Sequence, residues 1–483
     1  MNITKKTYRN LIFLIGFLMM IVPICKYHFV LDNDIWFVLN HGRYIVNNGF
    51  PVRDFISIHS DFDFSIQKWL LCVLCYGLYC AFGCTGILVM FFFLYAIIQI
   101  TMFFLCMYVS DKNIVASVIG TFTSMFILMS KAASTRPQAF TYLFVLLTVF
   151  CLEKYVREHQ AKALVVIPFI SLLWMQIHST QWLFIIALFM PYLFDIDLSK
   201  VPVINRLTKE SYNKLPIIIV FIVSLLVGII NPYGIDSLIY NIDSVKDLSW
   251  SRGIIECGTL SDFEWMLYIP FSAIILIAFY FNKKLPLRYA YFFIGTALFG
   301  TTRRNFPYFV LVCSFIVAYS LKDYQLFSIK NFKKNNHVII PIAIFMMILF
   351  FVDLHDLNTS VFERTECKAV VDSFAENYGC PGARMYTDFD DGSYAGWKGY
   401  KVYIDPRAEV YIKNVNHTDD VYSEYNNFCD GKISFEELQA KYHFEYALIK
   451  RGTNFGNQIN TYLENGTFEL LVNDDKYAIV KIN

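Results

Sequence analysis

Asp32 and Asp34 stand two residues apart in Asp32-Asn33-Asp34, just ahead of Trp36. A carboxylate that reaches an acceptor hydroxyl can remove its proton, so either aspartate is a candidate general base. The competing reading is a helix N-cap, a position that Asp favours. Three arginines offer the complementary chemistry. Arg136 lies in Ser134-Thr135-Arg136-Pro137-Gln138, and Arg303 and Arg304 precede Asn305. An arginine fork pairs phosphate oxygens two at a time; the alternative is that these side chains snorkel to lipid head groups.

Further polar residues cluster with these in the sequence. They are Trp36, Gln138, His178 after Trp174, Asn231 and Tyr233 in Asn231-Pro232-Tyr233-Gly234, Glu264 with Asp262, Asn305, and Asp405 and Arg407 in Ile404-Asp405-Pro406-Arg407. All are candidates to line a substrate cavity. Each has a plainer reading: a hydrogen-bonded interfacial histidine for His178, a helix stop and turn for Asn231-Pro232-Tyr233-Gly234, and the favourable start of a helix for Glu264. Cys72-x-x-Cys75 has no second ligand pair, which argues against a zinc or redox site. Asp390-Asp391-Gly392-Ser393 reads as a loop without EF-hand spacing, and no P-loop, GxGxxG or GxSxG is present.

Most of the chain that must position these residues is membrane-like. Of 483 residues, 56% are apolar and 17% charged, against roughly 25% charged in soluble domains; the mean hydropathy is +0.45. The net charge of +1 hides a division: 13 basic against 22 acidic residues from Asp353 onward, and 28 against 18 before it. Residues 1–352 read as a transmembrane body with a first outer loop at 28–85, and residues 353–483 as an extracytoplasmic α/β domain. No basic stripe with interleaved aromatics suggests nucleic-acid binding. The three tail cysteines, Cys367, Cys380 and Cys429, permit at most one internal bridge.

A spanning helix takes about 20 apolar residues. Eleven such runs are expected, at 10–27, 86–108, 114–129, 139–152, 163–177, 181–194, 215–230, 264–281, 289–301, 306–321 and 338–352. The run at 67–82 reads either as a span or as an interfacial helix, and loop charge decides between them. Taken as interfacial, it leaves fifteen lysines and arginines in cytoplasmic loops against six outside, as the positive-inside rule requires. The N-terminus is then cytoplasmic and the tail outside. Residues 35–48 are expected to form a helix lying along the interface. In the tail, strands are expected at 401–404, 446–450, 468–472 and 476–481, with a polar helix at 457–464.

Asp32-Asn33-Asp34-Ile35-Trp36, Arg136-Pro137-Gln138, Trp174 with His178, Asn231-Pro232-Tyr233-Gly234, Arg304-Asn305-Phe306-Pro307 and Ile404-Asp405-Pro406-Arg407, in that order, resemble a bacterial branch of the GT-C membrane glycosyltransferases. That branch is distantly similar to protein O-mannosyltransferases and lipid A aminoarabinose transferases. The resemblance implies a polytopic α-helical fold and sugar transfer from a polyprenyl-phosphate-linked donor, with an aspartate of the first outer loop as the catalytic candidate, a place Asp34 and Asp32 match. The family pattern has His-Glu-Trp where this chain has Gln67-Lys68-Trp69, so that carboxylate is missing here.

The expectation is an inverting glycosyltransferase of the cell membrane. Arg136, Arg303 and Arg304 hold the donor phosphate, and Asp34, or Asp32, acts as base. The acceptor is an extracytoplasmic glycan, lipid or protein. No metal is required, since arginines can stabilise the phosphate leaving group; a divalent ion at Asp32 and Asp34 is the variant of this reading. The rival readings are a flippase or exporter of lipid-linked sugars and, more weakly, a non-catalytic scaffold.

Overall fold

The structure, a computed structural model, describes residues 31–128, 134–194, 207–246, 254, 257–281, 285–323 and 365–483. The expected spans at 10–27 and 338–352, and the expected domain boundary at 352/353, lie outside the described residues. The described chain divides into two compact units. One, the helical unit, holds residues 89–230 and 254–323. The other, the mixed unit, holds residues 31–88, 231–246 and 365–483.

Helix α1 is Ile35–Asn48 and helix α2 is Trp69–Val109. Helix α2 merges the two expected runs at 67–82 and 86–108. Its backbone breaks at Gly83, whose φ of 63° and ψ of −157° lie outside helical geometry; the positive φ suits a residue without Cβ. Residues up to 88 belong to the mixed unit and those beyond to the helical unit.

The helical unit continues with α3 (Ile114–Ile127), α4 (Gln138–Glu158), α5 (Val166–Ile177), α6 (Phe184–Leu193) and α7 (Leu215–Val227). Helix α8 (Ile235–Lys246) belongs to the mixed unit. Back in the helical unit are α9 (Asp262–Phe281), α10 (Leu287–Phe299) and α11 (Phe306–Ser320). Apolar runs make these segments helical, and local signals end them. Asn113 caps α3 by accepting the Ala116 amide at 3.2 Å, and His159 closes α4 in the left-handed conformation. Helices α3 and α11 pack closely at Gly120, where a Cβ would meet Ser314 O at 2.6 Å; small residues permit this approach between apolar helices.

Two described helices, α2 and α4, are long and apolar enough to cross a membrane. Within α2, Val89, Phe93, Ile97, Ile100 and Phe104 are 47–58% exposed. Their spacing of three to four residues makes one apolar face, which water would disfavour and hydrocarbon would not.

Sequence counting treats Arg288 as a cytoplasmic-loop cation, but its side chain is only 4% exposed. Its Nε and Nη2 donate to Glu153 at 2.6 and 2.8 Å, and Nη1 to Glu210. Tyr192 and Tyr289 also donate to Glu153, each at 2.9 Å. A buried carboxylate needs partners of this kind to stay charged.

The mixed unit adds α12 (Lys368–Tyr378), α13 (Gly392–Trp397), α14 (Val421–Cys429), α15 (Phe435–Tyr442) and α16 (Ile459–Glu464). Its sheet has strands β1 (Arg384–Tyr386), β2 (Lys401–Val402), β3 (Tyr446–Lys450), β4 (Phe468–Asn473) and β5 (Tyr477–Ile482), in the order β2-β1-β3-β5-β4. Strand β1 pairs in parallel with β2 and β3, while β5 runs antiparallel between β3 and β4. The strands at 446–450, 468–472 and 476–481 stand within a residue or two of expectation. The expected loop at 390–393 is corrected in its second half, because Gly392 and Ser393 begin α13.

The first outer loop does not stand apart from this sheet. Ser57 bridges Val402 in parallel, with Ile58 N donating to Val402 O at 2.9 Å. Residues 56–58 thus cover the β2 edge, which would otherwise present unpaired backbone groups. The loop expected within residues 1–352 is therefore built into the same unit as the C-terminal residues. Helix α1, expected along an interface, is buried from Ile35 to Gly42. A Cβ at Gly42 would meet Cys72 O at 2.2 Å, so this helix packs directly on α2. Cys367, Cys380 and Cys429 are free cysteines.

Candidate functional site

Asp32, Asn33 and Asp34 form the turn that starts α1 and are half-buried. The Ile35 amide donates to Asp32 O at 3.0 Å and that of Trp36 to Asn33 O at 3.3 Å. Asp34 occupies the N-cap place, but its side chain makes no capping hydrogen bond. The plainer reading of Asp34 as a cap therefore lacks the contact that defines one.

This turn is held from the C-terminal side of the mixed unit. Ser393 Oγ donates to Asn33 O at 2.7 Å, and Asn33 Nδ2 donates to Asp390 O. Along α1 the pattern continues. Trp36 Nε1 donates to Thr365 Oγ1 at 2.6 Å, Asn40 Nδ2 to Gly396 O at 3.0 Å and Arg43 Nη2 to Trp397 O at 2.9 Å. The guanidinium of Arg43 also lies over the Trp397 ring, 4.2 Å from its centroid. Trp36 is 2% exposed and meets Tyr394 edge-on at 4.8 Å, so its indole serves this packing.

Arg407, at 2% exposure, sits between two carboxylates. Its Nη1 donates to Asp54 Oδ1 at 2.7 Å and its Nη2 to Asp405 Oδ2 at 2.6 Å. Burial works against the Asp54 charge, but the guanidinium beside it prevails and holds that carboxyl well below the usual range. His41 abuts the cluster, with Nε2 3.5 Å from Arg407. Burial, aided by the Arg407 charge, pushes its pKa well down, and its Nδ1 has no hydrogen-bond partner among the described residues. Asp405 and Arg407, expected in a substrate cavity, are placed in this closed ionic core.

A second acidic group lies under the Asn33 contact. Asp391 is 5% exposed. Burial, reinforced by the nearby Asp388 charge, raises its carboxyl to about 7, while Tyr477 donates to it at 3.1 Å. Burial also raises Asp388, which accepts from Tyr386 at 2.9 Å. Among the described residues no group of three or more His, Cys, Asp or Glu side chains is arranged to hold a metal ion.

The arginines fall in the helical unit. Arg303 Nε donates to Thr259 O at 3.2 Å and lies 3.4 Å from Glu264 Oε2. Glu264 completes a capping box, accepting the Ser261 amide at 2.7 Å while its own amide donates to Ser261 Oγ at 3.4 Å. Its plainer reading as a helix start thus has a geometry. Arg304 differs: among the described residues its buried Nε has no hydrogen-bond partner, and its Nη1 lies 4.0 Å from Cys257 Sγ. Asn305 Nδ2 donates to Thr302 Oγ1 at 2.9 Å. Arg136 is half-buried just before α4, and Gln138 opens that helix with a buried, unpartnered Oε1.

His178, at 3% exposure, is 2.7 Å from Thr141 Oγ1 through Nδ1. Thr141 lies one turn beyond Gln138 on α4. Tyr308 donates to Gln181 Oε1 and faces both Arg304 and Thr141. The helical unit therefore gathers Arg304, Tyr308, Gln181, Thr141 and His178. Tyr308, Gln181 and Thr141 escaped the sequence reading, although Tyr308 and Gln181 each fall three or four residues after a candidate, the spacing of helical neighbours. Asn231 accepts the Tyr233 amide at 2.9 Å and donates to Gly234 O at 3.0 Å. With Gly234 at a φ of 57°, this is the turn of the plainer reading.

The described chain thus combines a helical unit with a mixed unit built on a five-stranded sheet. The chain is similar to the archaeal oligosaccharyltransferase AglB from Archaeoglobus fulgidus, solved in complex with an inhibitory peptide and a dolichol-phosphate. The TM-score is 0.61 over 92% of this chain and 70% of that one, at 11% sequence identity, so the likeness is one of fold. No family model and no curated protein sequence matches the chain.

Proposed function

We propose that the protein is an integral-membrane inverting glycosyltransferase that moves a sugar from a polyprenyl-phosphate-linked donor to an extracytoplasmic acceptor. The observation that carries this reading is the fold shared over 92% of the chain with an oligosaccharyltransferase whose structure holds a dolichol-phosphate and a peptide. Asp34, with Asp32 as alternate, removes the acceptor proton. The acceptor oxygen bonds to the anomeric carbon as the bond to the donor phosphate breaks, and the polyprenyl phosphate departs with the electron pair. Arg304, with Arg136 and Arg303, offsets the charge on that phosphate. Fixed cations of this kind stabilise a leaving group without rearranging during the reaction.

The test replaces Asp34 with Asn, which keeps the shape and cannot accept the proton. Turnover of a polyprenyl-phosphate-linked sugar should fall by about 10²–10⁴, the usual range for general acid–base assistance, with donor binding retained. If Asp34→Asn, Asp32→Asn and the double variant all transfer sugar at the wild-type rate, neither aspartate is the base, and a flippase of lipid-linked sugars becomes the better reading.

A further inference from the structure

Helix α8 carries its polarity inside out. Ser237, Tyr240, Asn241 and Ser244 are its buried residues. Tyr240 packs with Ile412 and Val415 in a common core. On the opposite face Ile235, Ile239, Ile242 and Val245 are 54, 49, 43 and 54% exposed. Their spacings of four, three and three residues place them along one stripe of a 3.6-residue helix. Phe50 extends this apolar surface. It is 41% exposed and meets Tyr233, at the root of α8, edge-on at 5.8 Å.

An amphipathic helix in water buries its apolar stripe and exposes its polar one. Here the polar stripe is spent on the protein and the apolar stripe is turned outward. Lone exposed apolar residues are ordinary, but a continuous stripe marks an interaction surface. Two observations identify its partner. First, α8 begins within eight residues of Val227, the end of α7, a helix whose own Ile219, Ile222 and Leu226 are 49–59% exposed. The sequence expects a span at 215–230, so the chain enters α8 directly from an apolar, membrane-like run. Second, the charged end of the stripe is suited to head groups. Lys246 is 68% exposed, pairs with Asp243 at 2.8 Å and stands close to the line of the stripe, where its stem can lie along apolar surface with the ammonium in the polar layer.

We propose that α8, with Phe50, is a membrane-docking surface: its Ile235-Ile239-Ile242-Val245 stripe enters the head-group and acyl boundary of the outer leaflet and seats the mixed unit on the bilayer. The polar face that a free interfacial helix would give to water is given to the protein instead. The inference rests on the membrane reading above but not on the catalytic one.

The test uses the full chain in nanodiscs of phosphatidylcholine and phosphatidylglycerol, doped with a phospholipid that carries a photoactivatable diazirine in its acyl chain. After irradiation, adducts are mapped by mass spectrometry. Adducts are expected on residues 235–245 and on the Val89–Phe104 face of α2, and Ile239→Asp with Ile242→Asp should remove at least nine-tenths of the label from α8 alone. Both substitutions are at exposed positions, so α2 labelling in the same sample reports that the chain remains folded. Labelling of α2 with none on α8 overturns the proposal, as does cross-linking of α8 to another protein segment or a second copy. Absence of label from both helices would overturn the membrane reading with it.

Discussion

At the scale of single residues, the two neighbouring arginines are not equivalent. Arg303 is engaged by Thr259 and Glu264, whereas the Arg304 fork has a buried nitrogen with no partner among the described residues. Arg304→Ala should therefore weaken binding of polyprenyl phosphate by at least tenfold, Arg303→Ala by less, and Arg304→Lys should recover part of the loss, since lysine keeps the charge without the fork. Equal affinities in all three variants, by titration in nanodiscs, would remove Arg304 from the phosphate site. Asp391 yields a pH prediction. Its carboxyl is raised to about 7 by burial beside Asp388, with Lys450 and Asp390 also in reach. A raised folded pKa means that the folded state holds the proton more tightly, so this stability is present at low pH and is lost as pH rises from about 4 to about 7. His59, lowered to about 4 by burial, acts the opposite way, losing stability as pH falls from about 6.5 to 4. Asp391→Asn should thus raise the Tm relative to the native chain more at pH 8 than at pH 5; a pH-independent difference would contradict the assignment. Residue types were legible in sequence here, but partners were not. Asp54 and Arg407 lie 353 positions apart, and no local pattern links them.

At the scale of elements, α13 is a foundation for the aspartate turn. Ser393, 1% exposed, donates to Asn33 O, and the Asn33 amide answers to Asp390 O. Ser393→Ala deletes one hydroxyl without adding volume, and a hydrogen bond of this kind contributes about 1 kcal/mol. Amide exchange over residues 32–36 should accelerate several-fold with little change in Tm. The loss of turnover from Ser393→Ala should also be smaller in an Asp34→Asn background than in the native chain, because residues acting through one group are not additive. Unchanged exchange, or full additivity, would leave α13 as packing alone. Elements were legible in proportion to how much of their own stabilisation is local. The strands at Tyr446–Lys450 and Tyr477–Ile482 are short apolar runs that pair with each other, and both were expected. Helix α15 carries a local signal that went unread, the Ser434–Glu437 capping box. Strand β1 and helix α13 are three and six residues long. Their conformation depends on β2, β3 and the first outer loop, and the last two lie far from them in sequence.

At the scale of the whole molecule, the mixed unit imposes a condition that charge counting could not. Residues 56–58 are hydrogen-bonded to β2, and Tyr240 of α8 packs on Ile412 and Val415. A sheet and its core cannot be divided by a bilayer, whose interior leaves no partner for open backbone groups. Segments 31–66, 231–246 and 365–483 must therefore lie on one side, and the chain must cross the membrane an even number of times between each pair. Reading 67–82 as a span while keeping all later spans would break this parity between residue 66 and residue 231. The interfacial reading keeps it, in agreement with fifteen cationic residues in cytoplasmic loops against six outside. By the same rule, Lys5, Lys6 and Arg9 ahead of the first expected span would put the common side outside the cell. A reporter active only in the cytoplasm should accordingly be silent when fused after Asn483, and equally silent when inserted after the exposed Lys246 at the end of α8. An intramembrane inversion would show as opposite signals at the two sites and would contradict the shared core. Strong cytoplasmic activity at both would keep that core but place it inside, and with it the aspartate turn on which the proposed sugar transfer at the outer face depends.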